Sequence, residues 1–276
     1  FLPETINLLS GPGCPVCVSS QTFIDHAIAL GNLPDMILTT YGDLLRVPGS
    51  LSSLEKEKAA GADIRIVYSV LDALEIAKQN RKKQVVFIGI GFETTAPASA
   101  AAIKKAEMDG IRNFYLLSSH KVMPPALEAL AAGDTKIDGF IAPGHVSAIT
   151  GYGIYQKFAK VYKRGVVISG FEPADILQSI LMLVKQIELS NYHVENEYKR
   201  IVKPGGNPKA LAIMEEVFIP VDAEWRGLGI VPESGLAITE KFAAYDATRK
   251  FDVKIPESKP PRGCICGEIL TGKSKP

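Results

Sequence analysis

Four cysteines carry the most reactive chemistry in the chain, and they come as two tight pairs. Cys14 and Cys17 stand in Gly11-Pro12-Gly13-Cys14-Pro15-Val16-Cys17, and Cys264 and Cys266 in Cys264-Ile265-Cys266-Gly267. In the first pair the glycines permit a tight turn with positive φ, and Pro15 fixes the backbone between the thiols. A helix is expected to begin near Ser19 or Ser20, with Phe23, Ile24, Ala27 and Ile28 facing inward. The positive end of such a helix favours a thiolate, as in Cys-x-x-Cys oxidoreductases. The spacing suits a reversible disulfide or two ligands to one metal; the plainer reading is a pair of buried, inert thiols. In the second pair, extended chain points residues two apart the same way, so both sulfurs can approach one ion or cluster. Two thiolates do not complete a four-ligand site. On residue types alone, a zinc site built from all four cysteines is the main alternative to redox chemistry.

The histidines are the next candidates. His145, in Pro143-Gly144-His145-Val146-Ser147, sits where a strand is expected to turn into a helix. An imidazole there can be a general base, a ligand or a capping group. His120 occupies a similar place, whereas His26 and His193 read as structural or solvated. Glu93 and Glu172 can complement helix N-termini with no further role. Gly205-Gly206 is a weak phosphate-loop signal, because no strand or Lys-Ser/Thr accompanies it.

These residues need elements to position them. Short β-branched runs alternate with amphipathic stretches: Ile6-Asn7-Leu8-Leu9, Met36-Ile37-Leu38-Thr39, Ile64-Arg65-Ile66-Val67-Tyr68, Val85-Val86-Phe87-Ile88, Phe114-Tyr115-Leu116-Leu117, Phe140-Ile141-Ala142 and Val166-Val167-Ile168. Runs this apolar, with helical patterns between them, predict parallel strands covered on both faces, an α/β class of Rossmann-like type. Open parallel sheets bind ligands at the carboxyl ends of their strands. Cys14 and Cys17 are expected there after the first strand, Glu93 after the fourth, and His120, His145 and Glu172 after later ones. Ile90-Gly91-Phe92-Glu93-Thr94 resembles Ser169-Gly170-Phe171-Glu172-Pro173, which predicts two similar lobes. The expected division is residues 1–93, 94–190 and 191–276, the last holding remaining second-domain elements and the start of a small third domain. Asn207 reads as an N-cap with Pro208 at the first helical position. Trp225 to Ile230 reads as a strand, and residues 254–263, with three prolines, as an irregular linker to Cys264 and Cys266.

Composition narrows the class. At 276 residues, 46% hydrophobic and 22% charged, the chain has material for real cores, and its length fits about two domains. A net charge of +1, from 31 basic and 30 acidic residues, argues against an electrostatic grip on nucleic acid or an acidic membrane surface. No apolar run approaches the ~18–20 residues of a membrane span. No signal-peptide pattern opens the chain, so a cytoplasmic protein is expected. In that setting tight cysteine pairs point to redox or metal chemistry rather than staples. Phe1 at one end and Lys275-Pro276 at the other read as cut ends of a longer protein.

Taken together, the motifs resemble the HypD family of [NiFe] hydrogenase maturation proteins. The resemblance runs in order through Gly11-Pro12-Gly13-Cys14-Pro15-Val16-Cys17, Gly91-Phe92-Glu93-Thr94-Thr95-Ala96-Pro97, Ser119-His120-Lys121-Val122-Met123-Pro124-Pro125, Pro143-Gly144-His145-Val146-Ser147, Gly170-Phe171-Glu172-Pro173, Trp225-Arg226-Gly227-Leu228-Gly229 and Cys264-Ile265-Cys266-Gly267-Glu268. It implies two related α/β domains and a third carrying a [4Fe-4S] cluster. It implies a redox-active scaffold assembling the Fe(CN)2(CO) group with a HypC-type chaperone, which holds iron, and a HypE-type cyanide donor. By the same resemblance Cys14 and Cys17 are a redox-active dithiol near the iron site, His145 works in the same cleft, and Cys264 and Cys266 belong to the cluster-binding segment. The family's upstream Cys-Gly-Gly-His-Thr-His segment and its further cluster cysteines are not in this sequence, so this chain is not expected to assemble a full cluster. From the residues, a thiol–disulfide oxidoreductase and a zinc-stabilised binding module stay open.

Overall fold

The structure, a computed structural model, describes residues 2–133, 135–257, 265–271 and 273–274. Its first sheet grows from the predominantly apolar runs. Helix α1 (Gln21–Gly31) precedes β1 (Met36–Thr40); α2 (Leu54–Ala59) precedes β2 (Ile64–Ile66); α3 (Val70–Gln79) leads to β3 (Gln84–Gly91), and α4 (Ala96–Met108) to β4 (Phe114–His120). The strands are parallel in the order β2-β1-β3-β4. Each residue of β1, and each of β3 after Gln84, is buried. That is the signature of a sheet covered on both faces. Ser20 caps α1 by accepting from the Phe23 N–H, and Ser69 with Asp72 forms a capping box on α3, so both helix starts are fixed by short polar side chains.

A second parallel sheet, order β5-β6-β7, is built from β5 (Gly139–Pro143), β6 (Gly165–Ser169) and β7 (Val194–Asn196). Around it run α5 (Met123–Ala132), α6 (Gly144–Thr150), α7 (Gln156–Tyr162) and α8 (Pro173–Glu188). Helix α9 (Pro208–Val217) then leads into an antiparallel hairpin, β8 (Phe218–Trp225) with β9 (Gly229–Ile238), followed by α10 (Ala247–Lys250) and α11 (Cys266–Leu270). No described helix is long and apolar enough to cross a membrane.

Two compact units result. One is Pro15–Val122 with Lys209–Gly263 and contains the four-stranded sheet and the hairpin; the other is Phe1–Cys14 with Met123–Pro208 and Cys264–Pro276, around the three-stranded sheet. The α/β class and the two parallel-sheet lobes are as expected. The boundaries fall elsewhere than at residues 93 and 190. The chain leaves the first sheet after β4, because β4 pairs with β3 along its whole length, up to Gly91 with His120. The hairpin returns to that same unit: Val122 N–H donates to the Ser234 carbonyl at 2.9 Å, and Ser118 Oγ to the Leu236 carbonyl at 2.8 Å.

Two expected strands are corrected. Ile6-Asn7-Leu8-Leu9 forms no strand, and Leu8 and Leu9 are exposed. An apolar run becomes a strand only where a ladder partner exists, and neither parallel sheet offers this run one. The run from Trp225 to Ile230 is broken, because Trp225 ends β8 and Gly229 opens β9. Gly227 and Gly229 take φ of +87° and +76° there, the left-handed conformation that glycine supplies at a turn.

Between β3 and β4 the sheet leaves no room at Gly89, where an added Cβ would lie 2.5 Å from Leu116 Cδ1 and 2.7 Å from His120 Cε1. Gly89→Ala is therefore expected to destabilise the protein by about 1–3 kcal/mol through overpacking, read as a lower urea midpoint with unchanged m. An unchanged midpoint would show that the sheet opens there without cost.

Candidate functional site

The backbone between the first two cysteines and just after them is held by hydrogen bonds. Residues 15–18 form a turn in which Ser19 Oγ donates to the Pro15 carbonyl at 2.8 Å and Ser19 N–H to the Val16 carbonyl at 3.3 Å. Ser19 then makes an antiparallel bridge with Trp225, and Arg226 N–H donates to the Val18 carbonyl at 3.0 Å. Cys17 is exposed and Cys14 half-buried. Both are disulfide-bonded, while Cys266, half-buried at the start of α11, stays a thiol. Cys264 lies outside the described residues.

Trp225 is the anchor of this arrangement and is 1% exposed. Its indole stacks on Phe92 at 6.0 Å between centroids and 26° between planes. The indole N–H donates to Ser234 Oγ at 2.7 Å, and that hydroxyl donates onward to the Val231 carbonyl at 2.7 Å. Phe92 is presented by the turn that follows β3. Gly91 opens that turn at φ +146°, and a side chain in its place would collide with Thr95. Glu93, next in the turn, is buried, and Thr95, not Glu93, is the N-cap residue of α4.

Two side chains at the end of β4 complete the carboxyl edge. His120 is 1% exposed, with Nε2 3.1 Å from Ser99 Oγ and Nδ1 3.1 Å from Ser118 Oγ. Burial pushes its pKa down to about 3, so it is a neutral, doubly hydrogen-bonded packing residue. Lys121 is 4% exposed. Its ammonium donates to the Glu224 carbonyl at 2.8 Å and stands 5.4 Å from the Trp225 ring centroid, within cation–π range. Burial pushes its pKa down to about 8, against the opposing pull of the Glu224 carboxylate.

His145 belongs to the other unit, as the second residue of α6 after β5. Its ring lies 5.3 Å from Phe171 at 46°; Phe171 meets Tyr198 edge-on at 6.4 Å, and the Arg200 guanidinium covers Tyr198 at 4.5 Å. Gly144 and Gly170 make room for Tyr198, since a Cβ on either would come within 2.6 or 2.8 Å of its ring. Partial desolvation lowers the His145 pKa. The N-cap of α6 is Pro143, without a side-chain cap bond, so His145 does not cap its helix. Glu172 does cap: it forms a capping box with Asp175 at the start of α8. Arg200 grips that Asp175 with two bonds, at 2.9 and 2.5 Å, and holds its carboxyl below the usual range.

A family profile described as HypD, hydrogenase formation hypA family, matches residues 1–276. The chain belongs to the HypD family. It is 47% identical over its whole length to the hydrogenase maturation factor HypD of Rhizobium leguminosarum bv. viciae, covering 74% of that protein. It is 44% identical to a putative hydrogenase expression/formation protein of Methanocaldococcus jannaschii, covering all of this chain and 76% of the relative. For the hydrogenase maturation factor HypD of Escherichia coli strain K12 the values are 42%, 100% and 74%.

Within this HypD-family fold the candidates do not share one sheet edge. The dithiol segment follows no strand, and Cys17 sits in the unit of the four-stranded sheet; His145 follows a strand of the three-stranded sheet. The start of α1 lies where expected but is set back from the thiols. Helix α1 begins at Gln21, four positions beyond Cys17, with Ser20 as its cap, and the dipole fades within a turn. The four-cysteine zinc site does not form in this state, because Cys14 and Cys17 are disulfide-bonded. Among the described residues no group of three or more His, Cys, Asp or Glu could hold a metal ion. Reading by residue type missed Phe92, Lys121, Trp225 and Arg226 as the frame of the dithiol. Their signal lay in the motif blocks they occupy, but a lysine after a strand and a tryptophan on a hairpin look ordinary until their contacts are known.

His120 fixes a pH dependence. Its folded pKa lies below its unfolded value, so only the unfolded chain takes up this proton as pH falls from ~6.5 toward 3. The contribution is complete above ~6.5 and erodes on acidification through that window. Denaturation curves between pH 7 and 4 are expected to show a shallower loss of stability for His120→Gln than for wild type. Equal slopes would mean that the imidazole protonates while folded.

Proposed function

We propose that this chain is a hydrogenase maturation factor whose Cys14–Cys17 pair is the redox-active dithiol of an iron-handling scaffold. The observation that carries it is the exposed Cys17, disulfide-bonded and followed by Val18 and Ser19, which the Trp225 hairpin holds, in a chain matched to the HypD family over its full length. Fe(CN)2(CO) is the cargo, assembled for [NiFe] hydrogenases with a HypC-type chaperone and a HypE-type cyanide donor. Reduction takes two electrons and two protons and converts the disulfide to two thiols. The exposed Cys17 sulfur is the one an incoming thiolate attacks, which makes Cys14 the leaving and resolving thiol. His145, with its pKa lowered and its ring held by Phe171, holds or moves a proton in the other unit.

The proposal includes a [4Fe-4S] cluster with Cys264 and Cys266 among its ligands. Such a cluster takes four thiolates; the described residues offer Cys266 alone outside a disulfide and do not make up that site. A simple thiol–disulfide oxidoreductase is the second reading, favoured by the exposure of Cys17; turnover of a small disulfide without any effect on maturation would select it.

Two experiments test the reading. Intact-mass measurement before and after reductant is expected to show a two-hydrogen change that reverses on oxidation. With glutathione disulfide, Cys14→Ser is expected to trap the mixed disulfide on Cys17 at least several-fold faster than Cys17→Ser traps it on Cys14. Thiols that ignore every oxidant would reject the dithiol. For His145→Ala in cells, hydrogenase activity is expected to be lost while the melting curve stays within about a degree of wild type, as for a surface change outside the core. Normal maturation would remove His145 from the mechanism.

A further inference from the structure

Several arginines among the described residues are answered by carboxylates. Arg65 meets Asp63 through Nε and Nη2 at 2.8 and 2.9 Å; Arg200 grips Asp175, and Arg249 pairs with Glu240. Arg226 is different. Both Nε and Nη2 are buried, and neither has a hydrogen-bond partner among the described residues. Arg164 has only its Nε buried without one, and a single N–H makes no fork. Nε and Nη2 lie on one edge of the guanidinium, the pair of parallel donors that matches two oxygens of a carboxylate or phosphate. A buried cationic edge without an acceptor is costly to maintain, so its acceptor is expected to arrive from outside the chain.

The place is specific. The Arg226 N–H bonds the Val18 carbonyl, one residue beyond Cys17, and Trp225 beside it is fixed by Phe92, Ser234 and the Ser19 bridge. A second buried cation, Lys121, lies on the same hairpin through the Glu224 carbonyl. Charge of the opposite sign on the same elements is the Glu224 carboxylate, which acts on Lys121, and the buried Glu93 after Phe92; Nε and Nη2 of Arg226 bond neither. We propose that the Nε–Nη2 edge of Arg226 is an oxyanion-binding site beside the dithiol segment, taking two oxygens of one carboxylate or phosphate group. It places an anionic substrate group, or an acidic group of an assembling partner, next to Cys17. It does not depend on the dithiol being redox-active.

The test uses the whole chain with inorganic phosphate and, separately, acetate, each against chloride at matched ionic strength so that screening cancels. The wild-type melting midpoint is expected to rise by a few degrees with saturable dependence on the oxyanion. Arg226→Gln is expected to lose the rise. Arg226→Lys, which keeps the charge but not the fork, is expected to weaken it at least five-fold in apparent affinity. A stronger response to phosphate marks a phosphoryl ligand, and a stronger response to acetate a carboxylate. On the reduced protein, the Cys17 rate ratio of iodoacetate to iodoacetamide is expected to fall about ten-fold in Arg226→Gln, because only iodoacetate carries a carboxylate for the fork to guide. No oxyanion response in wild type, or equal responses in wild type and both variants, would overturn the site. An unchanged alkylation ratio would overturn its placement beside Cys17.

Discussion

The unit that holds Cys17 depends on how one indole is held. Trp225 is clamped on its face by Phe92, on its N–H by Ser234 and in its backbone by Ser19, with the Lys121 ammonium close to its ring. Each restraint comes from a different stretch of chain: the turn after β3, the hairpin itself, the segment before α1 and the end of β4. The indole is thus the point where the sheet, the hairpin and the dithiol segment are tied together. An aromatic with a polar handle suits that role, since its faces stack while its N–H fixes rotation. Gly91 is the precondition, because its φ of +146° aims Phe92 at the indole and excludes any side chain of its own.

The two Gly-Phe-Glu turns show how one local sequence takes two fates. Both follow a parallel strand and precede a helix. Phe92 is buried under Trp225, whereas Phe171 is exposed between His145 and Tyr198. Glu93 is buried, whereas Glu172 stands in solvent and caps α8. The strand–turn–helix geometry is common to both, and the hairpin that returns to the first turn makes the difference. Repetition in the sequence therefore marks a shared junction, not a shared site.

Charges are buried in this fold at a cost, and they are met in different ways. Asp175 is buried but answered by Arg200, a structural pair at the start of α8. Lys121 has one carbonyl and one ring face for its ammonium, and its pKa near 8 records the desolvation. Arg226 has a buried fork with no acceptor among the described residues. Both cations attach to the hairpin that bonds the backbone just after Cys17.

The sequence by itself determined the class and most of the strands. β1, β3, β4, β5 and β6 are read directly from runs of apolar residues, because a strand covered on both faces has no polar alternation to obscure it. It also determined the starts of α1 and α9 and, through the motif blocks, the family, since caps and prolines act locally. Tertiary structure alone decided which runs find partners. Ile6-Asn7-Leu8-Leu9 has the composition of a strand and no ladder to join, and Trp225 to Ile230 is cut by glycines whose φ only the folded hairpin shows. The unit boundary was equally hidden, because the hairpin rejoins the first sheet from about a hundred residues away, through Val122 and Ser234. So was the frame of the dithiol: Phe92, Lys121, Trp225 and Arg226 are ordinary residues in sequence. Their roles come from hydrogen bonds and ring contacts between segments far apart in the chain, which no local pattern encodes.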